Sequence, residues 1–348
     1  MQTALHQRLL SGGYPLGPWC GVETALDFGD ASAELHTALT GTAVFDLGWR
    51  GKIIATGDDR VRWLNGMVTN TVKDLAVNRG NYSFLLNAQG RILADMYVYN
   101  RGEYLLMDTD RSQCEAMLKT LDHFIIMDDV ELNDAGDDLG ALGVCGPTSE
   151  KTLAAAGIDA SGLGPLEIRD LVVNNIGISV VRGPLEKPGW HEIWAAAANI
   201  PALWDLLQKA EARPAGVRAM EQWRILHGIP RYGQDIREKD LPQETEQDQA
   251  LNFSKGCYIG QEIVERIRSR GQVHRRFTGF QFQNALPQPG KIEAEGRVVA
   301  EITSVTEVDG HKIGLGYIRR ETGLPGSRID VHGNPATVAD LPFQIQST

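Results

Sequence analysis

From Phe277 onward, every apolar run in the chain is short and is cut by glycine or proline. Phe277–Gln283 (FTGFQFQ), Arg297–Val308 (RVVAEITSVTEV), Lys312–Arg320 (KIGLGYIRR) and Ser327–Gly333 (SRIDVHG) are each of strand length, and Asp309-Gly310 makes a turn. Segments of that length between turn residues do not continue as helices, so this tail is constrained to a small all-β module of barrel-like form. The chain before it mixes helical and strand periods, which makes the whole an α+β protein.

The 348 residues correspond to two or three domains at about 150 residues each. Hydrophobic residues at 42% and charged residues at 23% suit a soluble globular protein. The formal charge of −11 argues against nucleic acid and against an anionic membrane surface as partners of the molecule as a whole. No stretch reaches the roughly 18 to 20 apolar residues of a membrane span. The start, MQTALHQRLLSGGYPLG, shows neither an apolar leader core nor an Arg-rich transit pattern, so the expected location is the cytoplasm. Cys20, Cys114, Cys145 and Cys257 lie far apart, which suits a reducing compartment.

The first two thirds resolve into elements. A helix over residues 32–40 is expected to be capped by Ser32 and stopped by Gly41, Lys52–Thr56 is a strand, and Asp58 or Asp59 caps a helix to Leu64. Tyr82–Leu86, Arg91–Tyr99 and Glu103–Met107 form an antiparallel meander around turns at 87–90 and 100–102. Ser112–His123 places Cys114, Met117, Leu118 and Leu121 at helical spacing, and a strand IIMDDVEL (125–132) follows. Pro201 opens a helix with Leu203, Leu206 and Leu207 on its core side, and Val217–His227 is a second helix ending at Gly228.

A phosphate-binding loop, a G-x-S-x-G elbow and H-E-x-x-H are all absent, and the Asp pairs at 58–59, 128–129 and 137–138 lack neighbouring ligands. No metal site is expected. The informative segment is 254–276, where two glycines flank Cys257-Tyr258-Ile259 ahead of a helix marked by Ile263, Val264 and Ile267. Glu262 and Arg266 stand at i,i+4 on it. A cysteine before a helix N-terminus and two residues from Lys255 has the surroundings of a reactive thiolate, while a small buried apolar role is equally open to it. Cys20, Cys114 and Cys145 take the buried role. Arg266, Arg268, Arg270, Arg275 and Arg276 with His274 reverse the local charge, which suits either a solvated face or an anionic ligand or partner.

Lys255-Gly256-Cys257-Tyr258-Ile259-Gly260-Gln261-Glu262 resembles the K-G-C-Y-x-G-Q-E signature of the YgfZ proteins, folate-binding relatives of the glycine-cleavage T-protein that support iron–sulfur enzymes. More loosely, Thr42–Leu47, Ile53–Asp59 with Trp63-Leu64-Asn65, and Arg224, Gly228 and Tyr232–Ile236 resemble T-protein stretches. The resemblance implies a three-lobed cloverleaf around a central folate channel. Its lobes would be residues 1–47 plus 136–213, then 48–135 plus 214–272 carrying the folate site, then the β-rich 273–348.

It further implies tetrahydrofolate or a derivative as cofactor. In T-proteins the strand after the glycine turn carries an acidic pair that faces the pterin; here the first position is Ala94 and the second is Asp95. Strand alternation sets Arg91, Leu93, Asp95, Tyr97 and Tyr99 on one face, with Ile92, Ala94, Met96 and Val98 on the other. By resemblance Asp95 and Arg224 hold the folate, the latter at a carboxylate, with Tyr97, Trp223 and Tyr258 beside it and Lys255 and Cys257 at the rim. Three functions fit: support of iron–sulfur clients, folate-dependent aminomethyl or methyl transfer, or a scaffold of the same fold without turnover.

Overall fold

The computed structural model describes residues 2–185, 189–271 and 273–345, with Arg270 described by its backbone. The chain forms two compact units, Met1–Ser83 with Met96–Met220, and Phe84–Asp95 with Glu221–Thr348.

Two large sheets and a two-stranded one, Leu16–Trp19 with Val22–Ala25, are described for the first unit. One large sheet has six strands in the order Ile168–Val173, Ile176–Arg182, Trp190–Ala196, Leu139–Cys145, Ala43–Asp46 and Arg213–Ala215. Its inner face, with Val144, Val180 and Ile193, joins Leu203, Trp204 and Leu207 from the helix Ile200–Lys209 in one apolar core. The other large sheet runs Arg79–Leu86, Ile92–Asn100, Leu105–Asp110, Arg50–Thr56 and Glu131–Asp134, residues 84–86 and 92–95 of its first hairpin being counted with the second unit. Across its centre Arg50 and Lys52 stand opposite Asp110 and Asp108. Lys52 Nζ lies 2.5 Å from Asp108, and Arg50 reaches Asp108 at 2.9 Å and Asp110 at 2.5 Å. Burial pushes the Asp108 carboxyl up, but the two cations outweigh it and hold it below the usual range.

The second unit contains the β module expected at the C-terminus. Six strands lie in the order Gly290–Ala294, Arg297–Val308, His311–Arg319, Arg275–Phe282, Asn334–Ala339 and Arg328–Val331, a nearly closed barrel-like sheet around Phe280, Ile302, Ile318 and Val338. Gly290–Ala294 and Asn334–Ala339 join the strands foreseen from the sequence.

Two local expectations are corrected, and the cap at Asp59 stands where expected but without its side-chain bond. The helix Ala31–Thr40 is capped by Asp30, whose carboxylate accepts from the N–H groups of Ser32 and Ala33; Ser32 is the second helical residue instead of the cap. Asp59 occupies the N-cap position of Arg60–Asn65 without a side-chain cap bond, its carboxylate instead accepting from Asp129 N at 3.0 Å. The strand expected over 125–132 begins only at Glu131, and Ile126 and Met127 are left 83% and 94% exposed. The meander, the helix Arg111–Asp122, the helix Val217–Leu226 and the left-handed Gly228 after it match expectation within a few residues.

In the second unit, residues 229–246 are tied to the barrel by buried charge. Asp235, fully buried, accepts from Arg224 Nη1 at 2.7 Å, Arg231 N at 3.0 Å, Thr303 Oγ1 at 2.5 Å and Ser304 Oγ at 2.7 Å. Asp240, equally buried, accepts from Arg237 and from Arg275 Nη2, the latter at 2.6 Å. Removing one partner of such a set leaves the other charge stranded in the interior. Asp235→Ala is therefore expected to cost about 3–5 kcal/mol in urea unfolding, while loss below about 1 kcal/mol would show that Asp235 is not a structural keystone.

Candidate functional site

The hairpin tip, the segment 229–246 and the cysteine motif come together within the second unit. Tyr232 Oη donates to Leu93 O at 2.6 Å, Arg91 Nη1 to Lys239 O at 2.5 Å, and Ile92 N to Asp240 O at 3.3 Å. The first residues of the Asp95 strand are thus clamped by the segment that the buried carboxylates hold.

The motif docks on the hairpin turn through two glycines. Gly260 has φ +79°, and a Cβ there would stand 2.5 Å from Asn87 O; a Cβ on Gly90, at φ +70°, would stand 2.8 Å from Ile263 Cβ. Backbone therefore approaches backbone more closely than any side chain permits. Gly260 is also the N-cap residue of the helix Gln261–Arg270.

Alternation along the Asp95 strand holds as expected: Ile92, Ala94, Met96 and Val98 are buried, while Arg91, Leu93, Asp95 and Tyr97 are half-buried. Tyr99 departs from it, being buried against Trp194. Tyr97 packs on Tyr82, their rings 5.1 Å apart. Burial, together with the Asp95 charge, pushes the Tyr232 phenol up to about 12.

Cys257 is exposed, so the small buried role does not apply to it, whereas Cys114 and Cys145 are buried as expected and Cys20 is half-buried. Lys255 Nζ lies 5.1 Å from the centre of the Tyr258 ring. Burial lowers its pKa to about 8 and raises the Tyr258 phenol to about 12. Gly256 and Glu262 are exposed and Gln261 is half-buried.

Arg224 sits elsewhere in the logic of the fold. Its Nε and Nη2 donate to Glu221, Nη1 to Ile229 O and Asp235, and Nη2 also to Ser304 Oγ. All five N–H groups of the guanidinium are engaged, which leaves none for a ligand carboxylate in this arrangement. Trp223 is buried and packs on His227 at 4.3 Å.

The basic run also differs from expectation. Arg275 is enclosed by Asp240, Glu244 and Glu301, and its guanidinium lies over Tyr317 at 4.5 Å. Arg268 lies over Phe253 and pairs with Glu265 at 3.6 Å, whereas no Glu262–Arg266 pair forms among the described residues. The side chain of Arg270 lies outside the described residues. Among the described residues no group of three or more His, Cys, Asp or Glu is placed to hold a metal ion, and no helix is long and apolar enough to cross a membrane.

Sequence patterning alone missed Tyr232 as the clamp on Leu93 and the buried Lys52–Asp108 pair. The signal for the latter was present, since Lys52 and Asp108 each interrupt an apolar strand.

Comparison with known proteins places this geometry. The GCVT N-terminal domain family matches residues 5–255. The chain belongs to the GCVT family. Among other GCVT proteins, the aminomethyltransferase of Rubrobacter xylanophilus is 27% identical over 98% of this chain and 94% of its own length, and that of Geobacillus kaustophilus is 26% identical over 93% of each. The glycine cleavage system aminomethyltransferase T of Bartonella henselae has the same fold, with a TM-score of 0.88 at 18% identity over 98% of this chain and 97% of that one.

The depressed lysine yields a pH signature. Between pH 8 and pH 10.5 the folded state has released the Lys255 proton while the unfolded chain retains it, so the unfolded state binds more protons and stability rises with pH. Urea unfolding of wild type against Lys255→Met is expected to show wild type gaining relative stability across that window, and a flat difference would refute the depressed ammonium.

Proposed function

We propose that this chain binds tetrahydrofolate and handles a one-carbon unit in the manner of the aminomethyltransferases it is similar to. The observation that carries the reading is Asp95, a half-buried carboxylate at the second position of the T-protein acidic pair, on a strand whose start is fixed by hydrogen bonds to residues 232–240. Being acceptor-only when ionised, it suits the N–H groups of a pterin edge or the positive charge of an iminium. Tyr97 stands on the same strand face two residues later. When bound, tetrahydrofolate supplies the nitrogens that take up a one-carbon unit. Lys255, its pKa lowered by burial to about 8, gives up its proton more readily than an ordinary lysine and is the group we assign to proton exchange. Arg224 we assign to holding residues 229–235 in place, so that it supports Asp95 from behind.

A second reading, support of iron–sulfur enzymes in the manner of the YgfZ proteins, is favoured by the exposed Cys257 beside Lys255 and by Ala94 in place of the first acid. Under it, folate binding persists without aminomethyl turnover and Cys257 faces the client. Titration of the full chain with tetrahydrofolate is expected to saturate, and Asp95→Asn to weaken binding by about 10- to 100-fold, the range of a hydrogen bond to a charged group. Formation of methylene-tetrahydrofolate from an aminomethyl donor supports the first reading. Binding without turnover, combined with loss of client iron–sulfur enzyme activity in Cys257→Ala, transfers support to the second. Absence of saturable binding overturns both and leaves the scaffold.

A further inference from the structure

Arg275 and Arg276 are neighbours on the barrel strand Arg275–Phe282 and meet opposite fates. Arg275 faces the segment 229–246 and is matched by three carboxylates. Alternation turns Arg276 to the other face with Thr278 and Phe280, directly across from Ile318. There its Nε and Nη2 are buried and have no hydrogen-bond partner, and Arg276 forms no ion pair among the described residues.

Those two atoms are the parallel donors of one guanidinium edge, spaced to meet two oxygens of a single carboxylate or phosphate. One step further along the ladder, Arg320 N donates to His274 O at 2.9 Å. Arg320 holds Glu246 through Nη2 at 2.6 Å, and its Nε is also buried and unpartnered. An unpaired donor removed from water costs about 1–3 kcal/mol, and more when it carries charge. Among the described residues three acids meet Arg275 and none meets Arg276.

We propose that the Nε–Nη2 edge of Arg276 is an oxyanion site that takes the carboxylate or phosphate group of a small anionic ligand, with Arg320 as a second contributor. The site uses none of the residues assigned to the pterin, so the anion titration and the folate titration can fail separately.

The test is calorimetric titration of the full chain at low salt with glutarate and, separately, with inorganic phosphate. Saturable binding of either supports the site, and the preferred probe identifies whether carboxylate or phosphate is the source. Arg276→Lys keeps the charge but loses the fork, and is expected to weaken binding about tenfold or more. Arg276→Gln is expected to abolish it. Binding that survives in Arg276→Gln, or absence of saturable binding of both anions to wild type, overturns the proposal. A readout on wild type alone guards against a misfolded variant: the Arg276 Nε–H resonance is expected to shift saturably with the anion, and an unmoved resonance overturns the site.

Discussion

The second unit depends on two carboxylates that have no access to water. Asp235 and Asp240 are both fully buried, five residues apart in a segment that forms no long helix or strand. Such a segment has little apolar surface with which to choose one conformation. Charge makes the choice: Asp235 is met by Arg224, Thr303 and Ser304, and Asp240 by Arg237 and Arg275. Arg237 and Arg275 then share Glu301, and both lie over the ring of Tyr317, whose hydroxyl donates to Asp235 O at 2.8 Å. Replacing such a network by apolar groups often leaves stability unchanged or higher. Its consequence here is conformational, because any other register of residues 229–246 strands several charges. Through Tyr232, Lys239 and Asp240 that single register extends to the strand bearing Asp95.

Features with a period were legible before the structure was known. The two faces of residues 91–98 follow from an alternation of two, and the C-terminal strands from runs too short for helices between turn residues. Features decided by distant partners were not. Arg224 sits on a helix and looks like a candidate for any anion, yet its partners Asp235 and Ser304 lie 11 and 80 residues away in sequence. The apolar run at Ile125-Ile126-Met127 reads as a strand, but the main chain enters the sheet only at Glu131, and two of its large side chains remain in solvent. The cap of the helix Ala31–Thr40 was missed by two residues because Asp30 and Ser32 are both good caps, and only the backbone decides between them.

The acidic surplus of the sequence acquires a location. Glu301 alone serves Arg237, Lys239 and Arg275, so part of the negative charge neutralises one arginine, Arg275, of the run that looked like an anion-binding patch. A cluster of like charges in sequence is therefore not a cluster in effect. Adjacent residues of a strand point to opposite faces, and that alternation separates Arg275, matched by acids, from Arg276, which has none among the described residues.

The motif Lys255–Glu262 divides in the same way between packing and exposure. Gly260 is required by the approach of Asn87 O, and Tyr258 is buried. These two positions are accounted for by the fold. Gly256 and Cys257 lie between them and Lys255 on the exposed side, and a Cβ on Gly256 would meet nothing within 4 Å. Packing therefore imposes no demand for a small residue at 256 or for sulfur at 257. The family match runs over residues 5–255 and so ends where this motif begins, while the whole-chain similarity to aminomethyltransferases continues through it. The shared fold explains how the motif is seated, through Gly260 and Tyr258. The chemistry particular to the motif faces outward, where the thiol of Cys257 and the weakened base Lys255 stand two residues apart.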